Sequence, residues 1–542
     1  MIRITALLIL FTVLSAFAES SRYWVFFADK AVAPGQELRA LDEARALVSQ
    51  RSLARRLKNG APLTMISDLP VAQQYVDHVR ATGADIRVAS KWLNAVSVAA
   101  TPAQLTQIEE LSCVRAVRRF SQRVSMDPPR GASDALDSLE YGASYRQDEL
   151  CRIPELHARG LSGAGVLLCM LDTGFETLHS SLDGLDYLAM RDFINNDSIV
   201  TNEAGEDSAG QFMHGTLCLS AAAGLDSGNI IGPAYGAQWM LAKTEYVPTE
   251  TEVEEDYYVA GMEWADSAGA DITSSSLGYI DWYDQSDMDG QTTVVTQAVT
   301  EAQRRGILVV TAQGNERGSL WNSVIAPADA DSILAIGAVD SLGLLSGFSS
   351  PGPTADGRVK PDCATMGSDV FCANATELDG YFRASGTSLA TPIAAGIAAL
   401  VMEANPEWTA QQVRAAILAT ASQASAPDND LGHGIVDAVA AADFTFDHAS
   451  PRSTMPIDML LSAYPNPVNG RVTLSLESAN SQSGRFMLYD LLGREVFRSA
   501  ERHISTGHQQ ISLDVTSLSS GKYFITFVGT SNSASVPVVV LK

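Results

Sequence analysis

The chain predicts an α/β fold: a doubly wound parallel sheet, with an α+β segment ahead of it and a small all-β sandwich behind it. Three observations carry this. The runs Val166–Leu171 and Ile307–Val310 are continuously apolar and end in polar turns, the pattern of parallel strands buried on both faces. From Ala390 to Ala404 almost every residue is apolar or small, so that stretch reads as a helix buried all round, ended by Asn405-Pro406. Residues 457–542 change to short alternating runs with β-sandwich spacing.

Residues 1–18 carry Arg3, an apolar run from Ala6 to Leu14 and the small-x-small site Ala16-Phe17-Ala18, the marks of a secretory signal peptide. A membrane anchor needs about 20 apolar residues, and none is expected in the mature chain. Residues 19–140 read as α+β: Tyr23–Phe27, Trp92–Val98 and Val114–Val117 as strands, and a helix from Thr101-Pro102 with Leu105, Ile108 and Leu111 on one face. Met126–Ser133 is Pro/Gly-rich and reads as an exposed linker, with cleavage expected within about 120 to 142.

Residues 141–447 form the α/β domain and hold the chemistry. Asp172-Thr173-Gly174 follows the first buried strand, so Asp172 is expected at its carboxyl end. His214-Gly215-Thr216 precedes Leu217, Cys218, Leu219 and the small residues Ser220–Ala223, which suits a buried helix. Gly386-Thr387-Ser388 opens the helix running to Ala404. A serine hydroxyl is a poor nucleophile near neutral pH and needs a base plus a group that orients the base. His214 and Asp172 supply that pair, and open α/β sheets gather sites beyond their strands' carboxyl ends.

These three motifs, in this order, resemble the signatures of the subtilisin family of serine endopeptidases: Asp172-Thr173-Gly174, His214-Gly215-Thr216 and Gly386-Thr387-Ser388-x-Ala390-Thr391-Pro392. The one departure is Leu389, where the family usually has Met, a swap of similar volume that cores tolerate. The resemblance implies Asn315, in Gly314-Asn315-Glu316, as the oxyanion donor beside the Ser388 backbone N–H; an ordinary Gly-Asn turn is the alternative. It implies that Ser274–Gly278 pairs with extended peptide, with Ser276, Leu277 and Gly278 on one pocket wall and Ala312 and Gly314 on the other. Gln313 stands there in place of an expected small residue. It also implies that residues 19–140 act as folding chaperone and transient inhibitor, an independent binding domain being the alternative. Gly432–Ala438 resembles the family's last core turn and helix, with His433 structural.

After a linker at 448–456, runs at Val472–Leu476, Arg485–Tyr489, Gln509–Leu513, Tyr523–Val528 and Ser535–Leu541 read as strands. Tyr464-Pro465-Asn466-Pro467, Leu488–Arg494, Leu518–Tyr523 and Val538–Lys542 resemble the C-terminal sorting domain of type IX secretion, which implies that secretion machinery as partner and a secreted or outer-membrane-surface location; a carbohydrate-binding or structural β-domain is the alternative. Against the protease stand a silent surface or adhesion protein that keeps the fold, and an esterase or peptide-ligating relative.

The six cysteines have no metal-ligand spacing. Cys169 and Cys218 read as inert core thiols; Cys363 and Cys372 flank a short loop, either as a disulfide in an oxidising compartment or as two buried thiols. With 63 Asp and Glu against 37 Lys and Arg, the net charge of −26 argues against nucleic acid or an anionic membrane as partner. Glu250, Glu252, Glu254, Glu255 and Asp256 read as a solvated face, or as a patch near the cleft favouring basic substrates. Catalysis is expected to need no cofactor. Asp284, Asp287 and Asp289 are weak candidates for structural calcium, against a plain polar loop.

Overall fold

The computed structural model describes residues 20–33, 36–119, 141–248, 251–446, 459–464, 468–478, 481–490, 495–529 and 533–542. The signal peptide, the linkers and most of the cleavage window lie outside the described residues, as do Glu250, Pro465–Pro467 and Leu491–Arg494. The chain divides into two compact units, one ending at Phe444 and one beginning at Thr445.

The first unit opens with a four-stranded antiparallel sheet, ordered β2-β3-β1-β4, of β1 (Ser21–Phe27), β2 (Asp85–Ser90), β3 (Ala95–Ala100) and β4 (Val114–Arg119). Strand β1 is apolar from Tyr23 to Phe27 because both of its faces are covered there. Tyr23, Val25 and Phe27 pack into the segment's own core with Val79, Val96 and Ile108, whereas Trp24 and Phe26 pack against Val259, Val294 and Ala298 of the following domain. The expected strand at Trp92 begins only at Ala95, since Trp92–Asn94 turn the hairpin and Asn94 takes φ 50°. Three helices were not legible: α1 (Glu37–Ala46), α2 (Gln50–Lys58) and α3 (Gln73–Ala81). The helix at Thr101-Pro102 is α4 (Pro102–Glu109), started by a Thr101/Gln104 capping box.

The main sheet has seven parallel strands: β5 (Leu167–Asp172), β6 (Asp186–Asp192), β7 (Gln238–Lys243), β8 (Ile272–Ser275), β9 (Leu308–Ala312), β10 (Leu334–Val339) and β11 (Cys363–Met366), in the order β11-β10-β9-β8-β5-β7-β6. Strand β5 is fully buried along its length, which is why it reads as an unbroken apolar run. The longer helices of the domain are α5 (Met213–Ala223), α6 (Val253–Ala268), α7 (Val294–Arg304), α8 (Thr387–Ala404) and α9 (Ala410–Thr420). A two-stranded ribbon, β12 (Val370–Ala373) with β13 (Tyr381–Ala384), precedes α8. Helix α8 sits in the main core, with Leu389 only 2% exposed. It is apolar and long enough to cross a membrane, and 83% of it is buried inside the protein.

The second unit is all β: one sheet of β14 (Met459–Tyr464), β15 (Arg471–Ser478) and β19 (Gly507–Asp514), and another of β16 (Gln482–Asp490), β17 (Glu495–Arg498), β18 (Arg502–Ile504), β20 (Gly521–Gly529) and β21 (Ser533–Val540). Its core joins Val472, Leu474 and Leu476 of one sheet to Phe486, Leu488, Ile525 and Phe527 of the other. All five expected strands are present, each longer by a residue or more at one end at least.

Candidate active site

Three neighbouring strands deliver polar residues to one edge of the main sheet. Ser275 pairs with Leu171 on one side and Thr311 on the other, so Asp172, Ser276 and the Gly314-Asn315 turn emerge together beyond the carboxyl ends of β5, β8 and β9. Helices α5 and α8 bring His214 and Ser388 to the same edge.

The approach of α5 to β5 depends on Gly215. A Cβ there would lie 2.2 Å from the Gly174 carbonyl oxygen and 3.0 Å from Asp172 Cβ, so only glycine lets the helix start against the strand end. His214 Nδ1 then lies 2.7 Å from Asp172 Oδ1. A carboxylate can only accept, so Nδ1 carries the proton and Nε2 is left as the basic nitrogen. Asp172 is fully buried, and its Oδ1 is also held by the Thr173 N–H at 2.8 Å. Burial, the largest single influence, disfavours the imidazolium, but the Asp172 charge and hydrogen bond together with the neighbouring Cys218 outweigh it and hold His214 well above its ordinary value of 6.5.

Helix α8 contains Pro392, which has no N–H to offer the Ser388 carbonyl one turn earlier. That carbonyl is satisfied from outside the helix: Ser276 Oγ donates to it at 2.8 Å and Cys218 Sγ at 3.3 Å. The Ser388 hydroxyl donates in turn to the Ser276 carbonyl at 3.3 Å. Cys218 stands four residues after His214, on the same helix face, and its Sγ lies 3.9 Å from Nδ1 and 4.0 Å from Nε2 of the imidazole. The sequence placed this thiol in the core without its contact to His214; the i, i+4 spacing was the available signal. Burial pushes the Cys218 thiol above its ordinary value, so it stays protonated.

Asn315 is oriented by Thr387, whose backbone N–H and hydroxyl donate to Asn315 Oδ1 at 2.9 and 3.0 Å. This fixes the amide with Nδ2 on the Gly386 side, 3.6 Å from where a Gly386 Cβ would stand. The Ser388 N–H, in the first turn of α8, has no intrahelical acceptor. On the walls, Leu277 and Ala312 are nearly buried. Gln313 is fully buried, and neither polar atom of its amide meets a protein partner. It lies beneath the wall rather than on its surface.

Of the remaining expectations, the solvated acidic face is corrected. All six cysteines are buried and unbridged; Cys363 faces the core toward Cys151 and Cys372 toward Cys218, so the pair does not meet. The acidic cluster is no solvated face: Glu254, Glu255 and Asp256 are buried in the first turn of α6. Glu255 accepts from Trp282 Nε1 at 3.1 Å and from the Tyr283 hydroxyl at 2.9 Å, and Asp256 from Ser97 of β3. Asp284, Asp287 and Asp289 serve their own turn: Asp287 accepts from the Asp284 N–H, and Asp289 from Gln291 and Thr292. Carboxylates converge instead at Asp192, Asp197 and Glu203, one oxygen from each within 4.8 Å of the others, but Lys243 Nζ already stands 2.7 Å from both Asp192 and Asp207.

Residues 163–434 match the family model described as the subtilase family, peptidase S8. The chain belongs to the subtilase family. Residues 22–135 match the peptidase S8 propeptide domain of Bacteroidota, and residues 462–541 a secretion-system C-terminal sorting domain. Among curated relatives of this subtilase, subtilisin DY of Bacillus licheniformis is 30% identical over 295 residues, 54% of this chain and 96% of that protein. Subtilisin Savinase of Lederbergia lenta is 31% identical over 290 residues, 53% and 94% respectively, and subtilisin E of Bacillus subtilis (strain 168) 29% over 315 residues, 57% and 73%. This subtilase is therefore a serine-type endopeptidase made with a propeptide and secreted by the type IX route to the cell surface or beyond.

Proposed function

We propose that the subtilase hydrolyses peptide bonds through Asp172, His214 and Ser388. Ser388 Oγ attacks the scissile carbonyl while His214 Nε2 takes its proton; the imidazolium then returns the proton to the leaving amine. Asp172 holds the ring in the required tautomer, and Asn315 Nδ2 with the Ser388 N–H meets the oxyanion. Water releases the acyl group in the second half-reaction by the same groups. The observation that carries this reading is the 2.7 Å contact of His214 Nδ1 with Asp172, made by residues from a helix and a strand end that meet beside Ser388.

Residues 1–18 are proposed as the signal peptide, 19–140 as the inhibitory pro-segment, 141–447 as the catalytic domain, 448–456 as a linker and 457–542 as the sorting domain. Docking of the pro-segment on the domain is supported by its contacts: Arg56 pairs with Asp266 of α6 at 2.7 Å, Ser90 Oγ donates to Glu263 at 2.7 Å, and Asn59 Oδ1 caps the Ala410 N–H of α9 at 2.8 Å.

The test is the purified chain from residue 19 to 542, wild type beside Ser388→Ala, followed by intact mass and casein hydrolysis. Loss of about 110 to 125 residues and casein digestion by the wild type alone supports the reading. Equal behaviour of the two proteins refutes it.

A further inference from the structure

We infer that Ile325 fills the pocket for the side chain preceding the scissile bond, so that this subtilase cuts after small residues, Gly, Ala or Ser, and excludes aromatic and long aliphatic ones. The inference rests on the proposed triad, because the pocket is located from Ser388.

A peptide carbonyl at Ser388 Oγ and Asn315 Nδ2 directs the preceding side chain into the gap between the two segments that flank these groups. One is Ser276–Gly278 and the other Ala312–Gly314. Both end in glycine, and the two glycines face each other across a single side chain. A Cβ built on Gly278 would stand 2.1 Å from Ile325 Cδ1 and 2.7 Å from Cγ1. One built on Gly314 would stand 2.8 Å from Ile325 Cγ2 and 3.0 Å from Cδ1. Gly314 has φ +105° in addition, a conformation that glycine adopts freely. The room vacated by the missing Cβ atoms is thus taken by Ile325, which is only partly buried.

The plug is held in place. The Tyr279 N–H donates to the Ala326 carbonyl at 2.9 Å and the Ala328 N–H to the Ile325 carbonyl at 2.8 Å, tying the backbone at Ile325 and just after it to its neighbours. Ser350 Oγ, 2.8 Å from the Gly314 Cβ position, closes the far side of that wall and is itself fixed by the Glu316 N–H at 2.8 Å. A β-branched side chain on an anchored backbone has few rotamers through which to retreat. A phenyl ring would have to displace it, whereas a methyl or hydroxymethyl group needs little of the gap.

The experiment uses the full-length chain, allowed to mature, and a peptide nitroanilide series that differs only in the residue before the cleaved bond, Ala, Leu or Phe. For the wild type, kcat/KM for Ala is expected to exceed that for Phe by about 10-fold or more, the scale on which pocket size discriminates. Ile325→Gly and the milder Ile325→Ala are expected to raise the Phe rate by a similar factor and leave the Ala rate within about threefold. A wild type that cuts after Phe as fast as after Ala, or two active variants with unchanged ranking, overturns the inference and leaves the protease intact. If no substrate is cut and a serine-directed fluorophosphonate labels wild type no more than Ser388→Ala, the triad itself fails and the inference falls with it. The wild-type ranking requires no variant to fold.

Discussion

Cys218 Sγ sits 3.9 Å from Nδ1 of His214 and within 3.3 Å of the Ser388 carbonyl oxygen, so one thiol touches both the proposed base and the nucleophile's backbone. A soft metal ion bound to that sulfur would press on the imidazole. Mercuric ion is expected to abolish casein hydrolysis by the wild type and to spare Cys218→Ser, which keeps nearly the same volume and a donor for the carbonyl. Equal sensitivity of the two proteins would assign the inhibition to another cysteine.

His214, held above 6.5 chiefly by Asp172 against the effect of burial, is expected to set the acid limb of activity. Hydrolysis needs neutral imidazole, so kcat/KM is expected to rise with pH through a midpoint above 6.5 and to be lost below it. Asp172→Asn removes the charge and favours the wrong tautomer; a fall of about 10⁴ in kcat is expected, with the limb moved to lower pH. A limb that stays in place on stopped-flow assay across pH 5 to 9 would contradict the role given to Asp172.

Asn315→Ala is expected to lower kcat by about 10²–10³ with little change in KM, a magnitude carried over from a subtilisin rather than obtained for this chain. Thr387→Val tests the geometry more finely, since it removes the hydroxyl but leaves the backbone donor on Asn315 Oδ1. Its loss in kcat should be smaller than that of Asn315→Ala and should vanish in the double variant. Additive losses would mean that Thr387 acts elsewhere.

The pro-segment contact should weaken as pH rises. Burial beneath the sheet raises Asp256 to about 7 despite the Ser97 hydrogen bond and the charges of Arg87 and Arg22, and Glu252 is likewise raised to about 7 against the pull of Arg22 and Arg119. Each takes up a proton when covered, so the favourable contribution is full below the ordinary carboxylate range and is lost as pH climbs toward 7. Non-covalent retention of the cleaved pro-segment is expected to be greater at pH 5 than at pH 8 on gel filtration. Asp256→Asn, which stays neutral, should flatten that difference.

How much of this was legible depended on how strongly each residue's surroundings constrained it. Strand β5, helix α8 and the strands of the last domain could be read because burial on both faces, burial all round and one-sided burial leave distinct periods. The site motifs were legible for the same reason: Gly215 and Pro392 tolerate few replacements where they stand. Helix α2 was not, since its run of Arg55, Arg56 and Lys58 suggests a solvated face. In fact Arg55 and Arg56 are buried against Asp266, a partner more than 200 residues away that no local pattern announces. The acidic start of α6 misled similarly, its cover coming from β3 and from Trp282 and Tyr283. Ile325 lies in a loop without periodicity, and only the facing glycines reveal what it does.

The partners of the pro-segment give maturation a direction in time. Its apolar face meets Val259, Val294 and Ala298, and its buried arginines meet Asp266 and the Arg305 backbone carbonyl, all more than 80 residues before Ser388, while the Asn59 contact with Ala410 of α9 falls after it. A chain that emerges amino end first can therefore assemble the inhibitor on α6 and α7 while the nucleophile's helix is still to come. Helix α8 follows these partners in the chain and packs into the central core. Chain order thus allows most of the pro-segment contacts named here to form before the helix that bears Ser388.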